Sequence, residues 1–365
     1  MIKIDKELFF KKYNKNIPQI IKHQFIADTE TPVSALLKIF NKAKYSFLLE
    51  SVEGGEQRGR YSLLGGYPDL IWKVYKGKVT IEKLNKATDI SKLNNKMPID
   101  SLKELLNFSK IKNDLTDVPY PVLVGYLGYP MIKYMEKISL NNPDTLKIPE
   151  AVMIRPKLVA VFDNIKDTIN IMASIYPSKN ITAIKAFNDA KKVISDVASK
   201  LNKEIKKNII NKKLKNKIKF KSNYTKKEYY QIVHKAKSYI KNGDIFQVVA
   251  SQRFETKYEL DTNTLYRSLR RLNPSPFLVN LNLNDFGLVA SSPEILVRLR
   301  DNKITIRPIA GTRKRGKNIT EDKKLSKDLL KDKKELAEHL MLLDLGRNDV
   351  GRVSSIGSVK VTEKM

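Results

Sequence analysis

The sequence predicts a protein that mixes helices with antiparallel β-hairpins, and three features lead to that expectation. Turn residues separate pairs of β-prone segments at Lys76-Gly77, Asp163-Asn164 and Asp301-Asn302, which is typical of hairpins. Other segments carry apolar residues at helical spacing. The chain has 365 residues, more than one hydrophobic core usually holds, so we expect two lobes or one large composite domain.

The predicted N-terminal lobe covers residues 1–200. Thr31 and Pro32 place a hydroxyl N-cap before a proline, and they predict a helix that reaches Phe40. Apolar residues at near-helical intervals predict a second, surface helix over residues 181–201. The strands expected in this lobe are residues 45–51, 70–75, 78–81, 158–162 and 168–172.

A basic linker over residues 201–222 is predicted to precede the second lobe, residues 223–365. The alternative to a solvated linker is a nucleic-acid arm, and we favour the linker because no aromatic residue precedes Phe220 within it. Thr225 and Glu228 have the spacing of a capping box, at the start of a helix that Gly243 ends. Later elements expected there are a strand over 245–254, a hairpin of 295–300 with 304–308, and a helix over 332–344.

Composition limits the class of protein and its partners. The formal net charge is +30, and the excess is mostly Lys spread along the chain, so we expect a solvated basic surface and no nucleic-acid partner. The chain has no cysteine, which excludes disulfides, thiolate metal sites and a cysteine nucleophile. We expect a cytoplasmic protein with no membrane partner, because we find no signal peptide and no apolar run long enough to span a bilayer.

Two distant motifs have groups that suit a bound amine. Residues 48–56, Leu-Leu-Glu-Ser-Val-Glu-Gly-Gly-Glu, end an apolar strand with a turn rich in carboxylates and glycine. Residues 273–278, Asn-Pro-Ser-Pro-Phe-Leu, contain two prolines that fix the backbone and leave carbonyl oxygens to accept from an ammonium group. Taken alone, the first motif indicates an ordinary strand exit and the second a rigid turn.

Two further motifs suit an anionic ligand and a metal ion. Residues 307–313, Arg-Pro-Ile-Ala-Gly-Thr-Arg, form a small-residue loop where the backbone can approach a ligand and a threonine can bond a carboxylate. Glu335 and Glu338 are three residues apart, so they share one face of the predicted helix and can aim two carboxylates into one cavity. His339 has no second histidine at helical spacing, which argues against zinc.

These motifs run in order from residue 48 to residue 349, and together they resemble the large, chorismate-converting subunits of anthranilate synthases. The resemblance implies an α+β fold of two interleaved lobes, built on antiparallel sheets flanked by helices. It also implies addition of ammonia to the chorismate ring and elimination of pyruvate to give anthranilate, with Mg²⁺ as the cofactor. A glutamine amidotransferase subunit would supply the ammonia, so we expect a hetero-oligomer.

The same resemblance assigns roles to individual residues. The family's inhibitor, L-tryptophan, would contact the two amine motifs, and weakened feedback inhibition is expected because the family usually has Tyr and Met at the last two positions. The expected inhibitor contacts are Leu49, Glu50, Ser51, Asn273, Pro274, Ser275, Pro276, Phe277 and Leu278. The expected catalytic residues are Gln247, Ala310, Gly311 and Thr312, and the expected magnesium ligands are Glu338 and, in support, Glu335.

Two positions resemble anthranilate synthases more than other chorismate-converting enzymes. Aminodeoxychorismate synthases commonly have a lysine where this chain has Ala310, and isochorismate-forming relatives have a lysine where it has Gln247. A glutamine cannot act as a base, which favours ammonia over water as the nucleophile. The open alternatives are an aminodeoxychorismate synthase large subunit and a non-catalytic, tryptophan-binding regulatory remnant.

The sequence ends at Met365, where the family continues for roughly another quarter of its length. The resemblance implies that this further part supplies the catalytic histidine and the second magnesium carboxylate. We therefore expect this polypeptide alone neither to bind chorismate tightly nor to turn it over. We also expect unpaired strand edges in the second lobe.

Overall fold

The computed structural model describes residues 5–53, 57–84, 96–111, 118–205 and 218–365. The chain divides into two compact units. The larger unit contains Met1–Glu204 and Tyr266–Met365, and the smaller unit contains Ile205–Leu265. Residues 266–365, which were predicted to belong to the second lobe, group with the N-terminal residues because two of their strands extend the N-terminal sheet.

A nine-stranded antiparallel sheet organises the larger unit, in the order β1-β9-β8-β5-β2-β12-β13, with β6 paired to β5 and β7 paired to β8. The pairing of β2 with β12 joins residues more than 200 positions apart and interleaves the two ends of the chain. The strands are β1 (Gln19–Ile26), β2 (Tyr45–Glu50), β3 (Val52–Glu53), β4 (Gln57–Arg58), β5 (Tyr61–Tyr75), β6 (Lys78–Lys83), β7 (Val124–Leu127), β8 (Ala151–Asp163), β9 (Thr168–Ile175), β12 (Phe277–Leu283) and β13 (Gly287–Ser292).

The predicted hairpins of the N-terminal part are confirmed. β5 and β6 meet at Tyr75 and Lys78, and both turn residues between them have positive φ, 48° at Lys76 and 78° at Gly77. Such paired positive φ angles match the twist of the flanking strands, which explains why the Lys-Gly pair predicts this turn. β8 and β9 likewise pair from Leu158↔Ala173 to Asp163↔Thr168, although the turn begins one residue later than predicted, at Asn164, because Asp163 is still paired in β8.

Helices α1 (Lys6–Asn14), α2 (Pro32–Phe40) and α4 (Ala183–Leu201) contribute to one hydrophobic cluster with one face of the sheet. Thr31 caps α2 as predicted: its hydroxyl accepts from the Ser34 amide and the Ser34 hydroxyl accepts in return. Helix α3 (Pro98–Ser109) contributes to a separate hydrophobic cluster, where its Ser101 accepts a 3.0 Å hydrogen bond from the buried Trp72 indole. A 3₁₀ helix, Tyr129–Tyr134, follows β7.

Helix α6 (Thr262–Leu272) leads into β12, and its Tyr266 is buried in the same cluster as Leu48 and Leu278. The end of the chain forms the β14–β15 hairpin and two helices. Its turn lies at Asp301 and Asn302, both with positive φ, as the sequence predicted, although the strands are shorter than expected. These elements are β14 (Arg298–Arg300), β15 (Lys303–Thr305), α7 (Ile319–Leu329) and α8 (Lys333–Gly351), the last extending beyond its predicted end.

The smaller unit consists of helix α5 (Lys226–Asn242) and a two-stranded pair, β10 (Lys221–Ser222) with β11 (Phe254–Glu255). The predicted capping box at Thr225 and the stop at Gly243 (φ 80°) are confirmed. The strand predicted over residues 245–254 is wrong: only its last residue is paired. β-Prone residues become a strand only when a neighbouring strand and a packing surface are present, and here Phe246 is 92% exposed.

Part of the predicted basic linker, residues 206–217, lies outside the described residues, as do Gly54, Gly55 and Glu56 of the first amine motif. Within the part of the chain that is described, no helix is both long and apolar enough to cross a membrane.

Candidate functional site

The sheet brings the two amine motifs together. In the pairing of β2 with β12, Glu50 lies opposite Leu278 and Leu49 lies opposite Val279. The Val52 amide donates a 3.1 Å hydrogen bond to the Ser275 carbonyl. Leu278 is buried and Phe277 is 38% exposed. Two segments that the sequence separates by more than 200 residues are therefore hydrogen-bonded neighbours in the structure.

The proline segment, residues 273–276, is tied to the strands on both sides of it. The Ser291 hydroxyl on β13 donates a 2.6 Å hydrogen bond to the Asn273 carbonyl and lies 2.8 Å from the Ser275 hydroxyl. The expectation that the prolines leave these carbonyls free needs correction for Asn273 and Ser275, because both oxygens already accept from the protein. A carbonyl has two lone pairs, so each oxygen keeps capacity for one further donor.

Glu50 is buried, and two side chains of α6 hold its carboxylate. The Tyr266 hydroxyl donates a 2.6 Å hydrogen bond to Oε2, and Arg270 Nη2 donates a 3.0 Å hydrogen bond to Oε1. Arg270 Nε also lies 2.8 Å from Oε2. Burial, reinforced by the charge of Glu50, raises the pKa of the Tyr266 hydroxyl, so Tyr266 stays protonated as a donor.

Ser51 is positioned by a close contact with Gly59. The Gly59 amide donates a 2.8 Å hydrogen bond to the Ser51 carbonyl. A Cβ atom at Gly59 would lie 2.7 Å from the Ser51 Cβ, closer than side chains approach, so glycine is required there. Ser51, just after β2, is therefore held against Gly59.

The glycine loop, residues 307–313, lies along helix α8. Gly311 has φ 85°, and a Cβ atom added to it would lie 3.2 Å from Glu335 Oε2. Further along the helix, a Cβ atom at Gly346 would lie 2.4 Å from the Ile306 side chain and 3.8 Å from Pro308. The loop that carries Ala310, Gly311 and Thr312 is thus adjacent to the helix that carries Glu335 and Glu338.

Arg313 fastens the glycine loop to the start of α8. Its Nε donates to Asp328 at 2.8 Å, its Nη2 donates to Asp332 at 2.6 Å, and its Nη1 lies 4.0 Å from Glu335 Oε1. Asp332 is also the N-cap of α8 and accepts from the amides of Lys334 and Glu335. The hydrogen bond from Arg313, followed by the one from the Glu335 amide, lowers the pKa of Asp332. Asp332 therefore stays ionised.

Glu294 supports the other side of the loop, since its Oε1 accepts a 3.1 Å hydrogen bond from the Ile309 amide. The sequence predicted no role for Arg313 beyond its place in the 307–313 motif, and none for Glu294, Tyr266 or Arg270. For the last two, one signal was available: an aromatic and a basic residue four apart on a helix immediately before the proline segment share one helix face.

The two residues predicted to bind a metal ion are carboxylates of α8. The Glu335 side chain is 22% exposed, and Glu338 follows three residues later on the same helix face. Among the residues with described positions, no group of three or more His, Cys, Asp and Glu side chains is arranged for a metal. Mg²⁺ keeps several waters and needs only one or two protein carboxylates, so this donor set fits magnesium. His339 Nε2 instead lies 2.9 Å from the Lys364 carbonyl oxygen.

Gln247 belongs to the smaller unit, where it lies in the exposed segment between α5 and β11. It does not lie on a strand, contrary to the sequence expectation, for the reason given for residues 245–254. Its assignment as a catalytic residue stays a prediction.

Comparison with known proteins agrees with the resemblance inferred from the motifs. The sequence profile of the family described as chorismate binding enzyme matches residues 47–365. Anthranilate synthase component 1 of Cereibacter sphaeroides is 44% identical over 363 residues, covering 98% of this chain and 72% of the relative. Anthranilate synthase component 1 of Aquifex aeolicus is 39% identical over 347 residues, covering 94% of this chain and 69% of the relative.

Solved structures agree on the fold. Anthranilate synthase component I from Streptococcus pneumoniae superposes with a TM-score of 0.68 at 29% identity, over 84% of this chain and 64% of that structure. An isochorismate synthase from Escherichia coli superposes with a TM-score of 0.56 at 12% identity, over 95% of this chain and 68% of that structure, which shows the shared fold alone. The predicted α+β class with antiparallel sheets is confirmed. The chain belongs to the chorismate-binding enzymes and, within them, to the anthranilate synthase component 1 group.

Proposed function

We propose that this chain is the chorismate-binding part of an anthranilate synthase large subunit, which converts chorismate and ammonia to anthranilate and pyruvate. One observation carries the proposal: the glycine loop with Ala310 lies directly on the helix that carries Glu335 and Glu338. A small-residue loop beside two carboxylates suits a ligand that binds partly through the backbone and partly through a metal ion.

The residues of this site have separable roles in the proposal. Glu338, with support from Glu335, would hold Mg²⁺, which as a Lewis acid neutralises the substrate carboxylate and the charge on the departing hydroxyl. Gly311 and Thr312 would bind the substrate through the backbone and the threonine hydroxyl. Arg313 and Glu294 fix the loop from its two sides, so the loop is ordered before substrate arrives.

Ammonia as the nucleophile is supported by Ala310, which offers no amine to attack the ring, and by Gln247, which cannot activate water. A glutamine amidotransferase subunit would release that ammonia, and the relatives' name, component 1, agrees with a second component. L-Tryptophan would bind where β2 meets the proline segment and act as the inhibitor.

Product identification tests the proposal. The chain is extended with the part of the Cereibacter sphaeroides relative that lies beyond the matched region and is incubated with chorismate, ammonium and Mg²⁺. We expect fluorescent anthranilate, confirmed by mass spectrometry. Aminodeoxychorismate, isochorismate or no product would contradict the proposal.

A matched pair of variants assigns the metal role in the same assay. Glu338→Gln is expected to lower kcat/KM by about 100-fold and to raise the Mg²⁺ concentration needed for half-maximal rate. Glu82→Gln changes a half-exposed carboxylate on β6 and serves as the control, with activity close to the unmodified protein. Equal activity of the two variants would remove Glu338 from the metal site.

A further inference from the structure

Both oxygens of the Glu50 carboxylate already contact donors of the protein itself. Its side chain is 3% exposed, and each of its oxygens lies within 3.0 Å of a donor on α6, from Tyr266, Arg270 or both. A buried charge is strongly destabilising unless it is paired and hydrogen-bonded. Tyr266 and Arg270 therefore hold the buried Glu50 carboxylate in one orientation.

The same contact fixes the start of the proline segment. Helix α6 ends at Leu272, and the Asn273 amide still donates a 2.8 Å hydrogen bond to the Leu269 carbonyl. Helix α6 therefore connects Glu50 to Asn273, the first residue of the proline segment. On its other side the segment is tied to Val52, two residues after Glu50.

These contacts and the chain between them form a closed cycle around the proposed inhibitor site. The cycle leads from Glu50 through Arg270 to Asn273, then through Ser275 to Val52, which follows β2 and returns to Glu50 along the chain. Arg270 and Tyr266 lie four residues apart on one face of α6, so one helix face supplies both donors.

We propose that Tyr266 and Arg270 are positioning residues of the tryptophan site: by holding Glu50 they set the spacing between the end of β2 and the proline segment. This inference rests on the proposed function, because it requires that L-tryptophan binds there. It adds two residues outside the predicted inhibitor motifs. It also assigns to Glu50 a role in organising the site, since its oxygens are already engaged.

Calorimetric titration of L-tryptophan into the full chain tests this proposal. Tyr266→Phe removes one hydroxyl, and Arg270→Gln removes the charge while keeping an amide donor. Each is expected to weaken tryptophan binding by about tenfold, comparable to the loss of one hydrogen bond to a charged group. Arg271→Gln changes the exposed neighbour on the same helix and is the matched control, with affinity unchanged.

A double-mutant cycle separates positioning from general destabilisation. If Arg270 acts through Glu50, the Arg270→Gln substitution should change affinity by less than about twofold in a Glu50→Gln background. Arg270→Lys should restore part of the lost affinity, because it keeps the charge. Tyr266→Phe is the smallest change of the set, so it gives a result even if the Arg270 variants fold poorly.

The outcomes are distinguishable. If the unmodified chain binds no L-tryptophan, both the inhibitor site and this inference are overturned. If it binds while Tyr266→Phe and Arg270→Gln bind equally well, the inhibitor site stands and the positioning role is wrong. Independent, additive losses in the double-mutant cycle would also contradict the positioning role.

Discussion

The two parts of the proposed site, the amine motifs and the glycine loop, differ in how deeply their surroundings are buried. Leu48, the first residue of the first amine motif, is fully buried in the core of the large sheet. In residues 293–365, all of which are described, Gly346 is the one buried residue, and Leu296 is 93% exposed. The amine motifs thus adjoin a closed apolar core, whereas hydrogen bonds and ion pairs of Glu294 and Arg313 hold the glycine loop at an exposed position.

This difference predicts which part is robust. Close packing is little affected by salt, whereas exposed ion pairs are screened by it. The two amine motifs should therefore keep their structure at salt concentrations at which the glycine loop already opens.

Core truncation should separate the two regions most clearly. Leu48→Ala is expected to lower the free energy of unfolding by about 3 kcal/mol, because it leaves a cavity in a closed core. Leu296→Ala, at an exposed position, should change it by less than about 0.5 kcal/mol. Urea unfolding followed by the fluorescence of Trp72, the single and fully buried tryptophan, measures both. Similar losses in the two variants would contradict the contrast.

A second large effect is expected at a buried ion pair beneath α3. Arg155 is 2% exposed and pairs with both oxygens of Asp69, at 2.8 and 2.7 Å. Asp69→Asn removes the opposing charge and should cost about 3 kcal/mol of the free energy of unfolding, because the guanidinium remains buried. Asp100→Asn is the control, since Asp100 and its partner Lys103 are both mostly exposed. Equal stability of the two variants would show that Arg155 gains solvent on losing Asp69.

Acid should destabilise the sheet through Asp163. Burial opposes its charge, but hydrogen bonds from Arg60 and from the Ile165 and Lys166 amides outweigh burial and lower the pKa of Asp163. A lowered folded-state pKa contributes stability above the unfolded-state pKa and loses it as pH falls through the folded-state value. Below about pH 4, stability should therefore fall more steeply in the unmodified chain than in Asp163→Asn. Parallel pH profiles of the urea midpoint would contradict this assignment.

The smallest expected effect concerns the glycine loop. Arg313→Lys cannot reach Asp328, Asp332 and Glu335 at once, so amide hydrogen exchange at Gly311 and Thr312 should become several-fold faster. Arg315→Lys, at a side chain that is 88% exposed, is the control and should leave these amides unchanged. Added salt should accelerate exchange in the loop of the unmodified chain and leave the β2 amides unaffected. Loop exchange insensitive to both changes would show that other contacts hold it.

The sequence predicted those elements whose cause is local. Thr31-Pro32, Lys76-Gly77 and Asp301-Asn302 determine a cap and two turns through their own backbone chemistry, and each formed as expected. The strand over 245–254 failed because strand formation depends on a partner that a single segment does not specify.

In the candidate site, too, the sequence identified local motifs but not the remote residues that contact them. The motifs indicated which residue types meet, and the pairing of β2 with β12 confirms that the two amine motifs are neighbours. The residues that support them were missed because their contacts are remote: Tyr266 and Arg270 reach Glu50 across 216 and 220 positions of sequence. Their spacing on α6 indicates that they share one helix face, but it does not identify Glu50 as their partner, because that contact depends on the order of strands in the sheet.

We propose that the glycine loop and the carboxylates of α8 share one metal site. Mn²⁺, a paramagnetic substitute for Mg²⁺, tests it in the chain as it stands through nuclear magnetic resonance of amide signals. We predict that substoichiometric Mn²⁺ selectively broadens the signals of Gly311, Thr312 and Glu338 and leaves that of His23 on β1 sharp. Broadening that spares the loop, or that spreads evenly over the chain, would show that the glycine loop and the α8 carboxylates do not share a metal site.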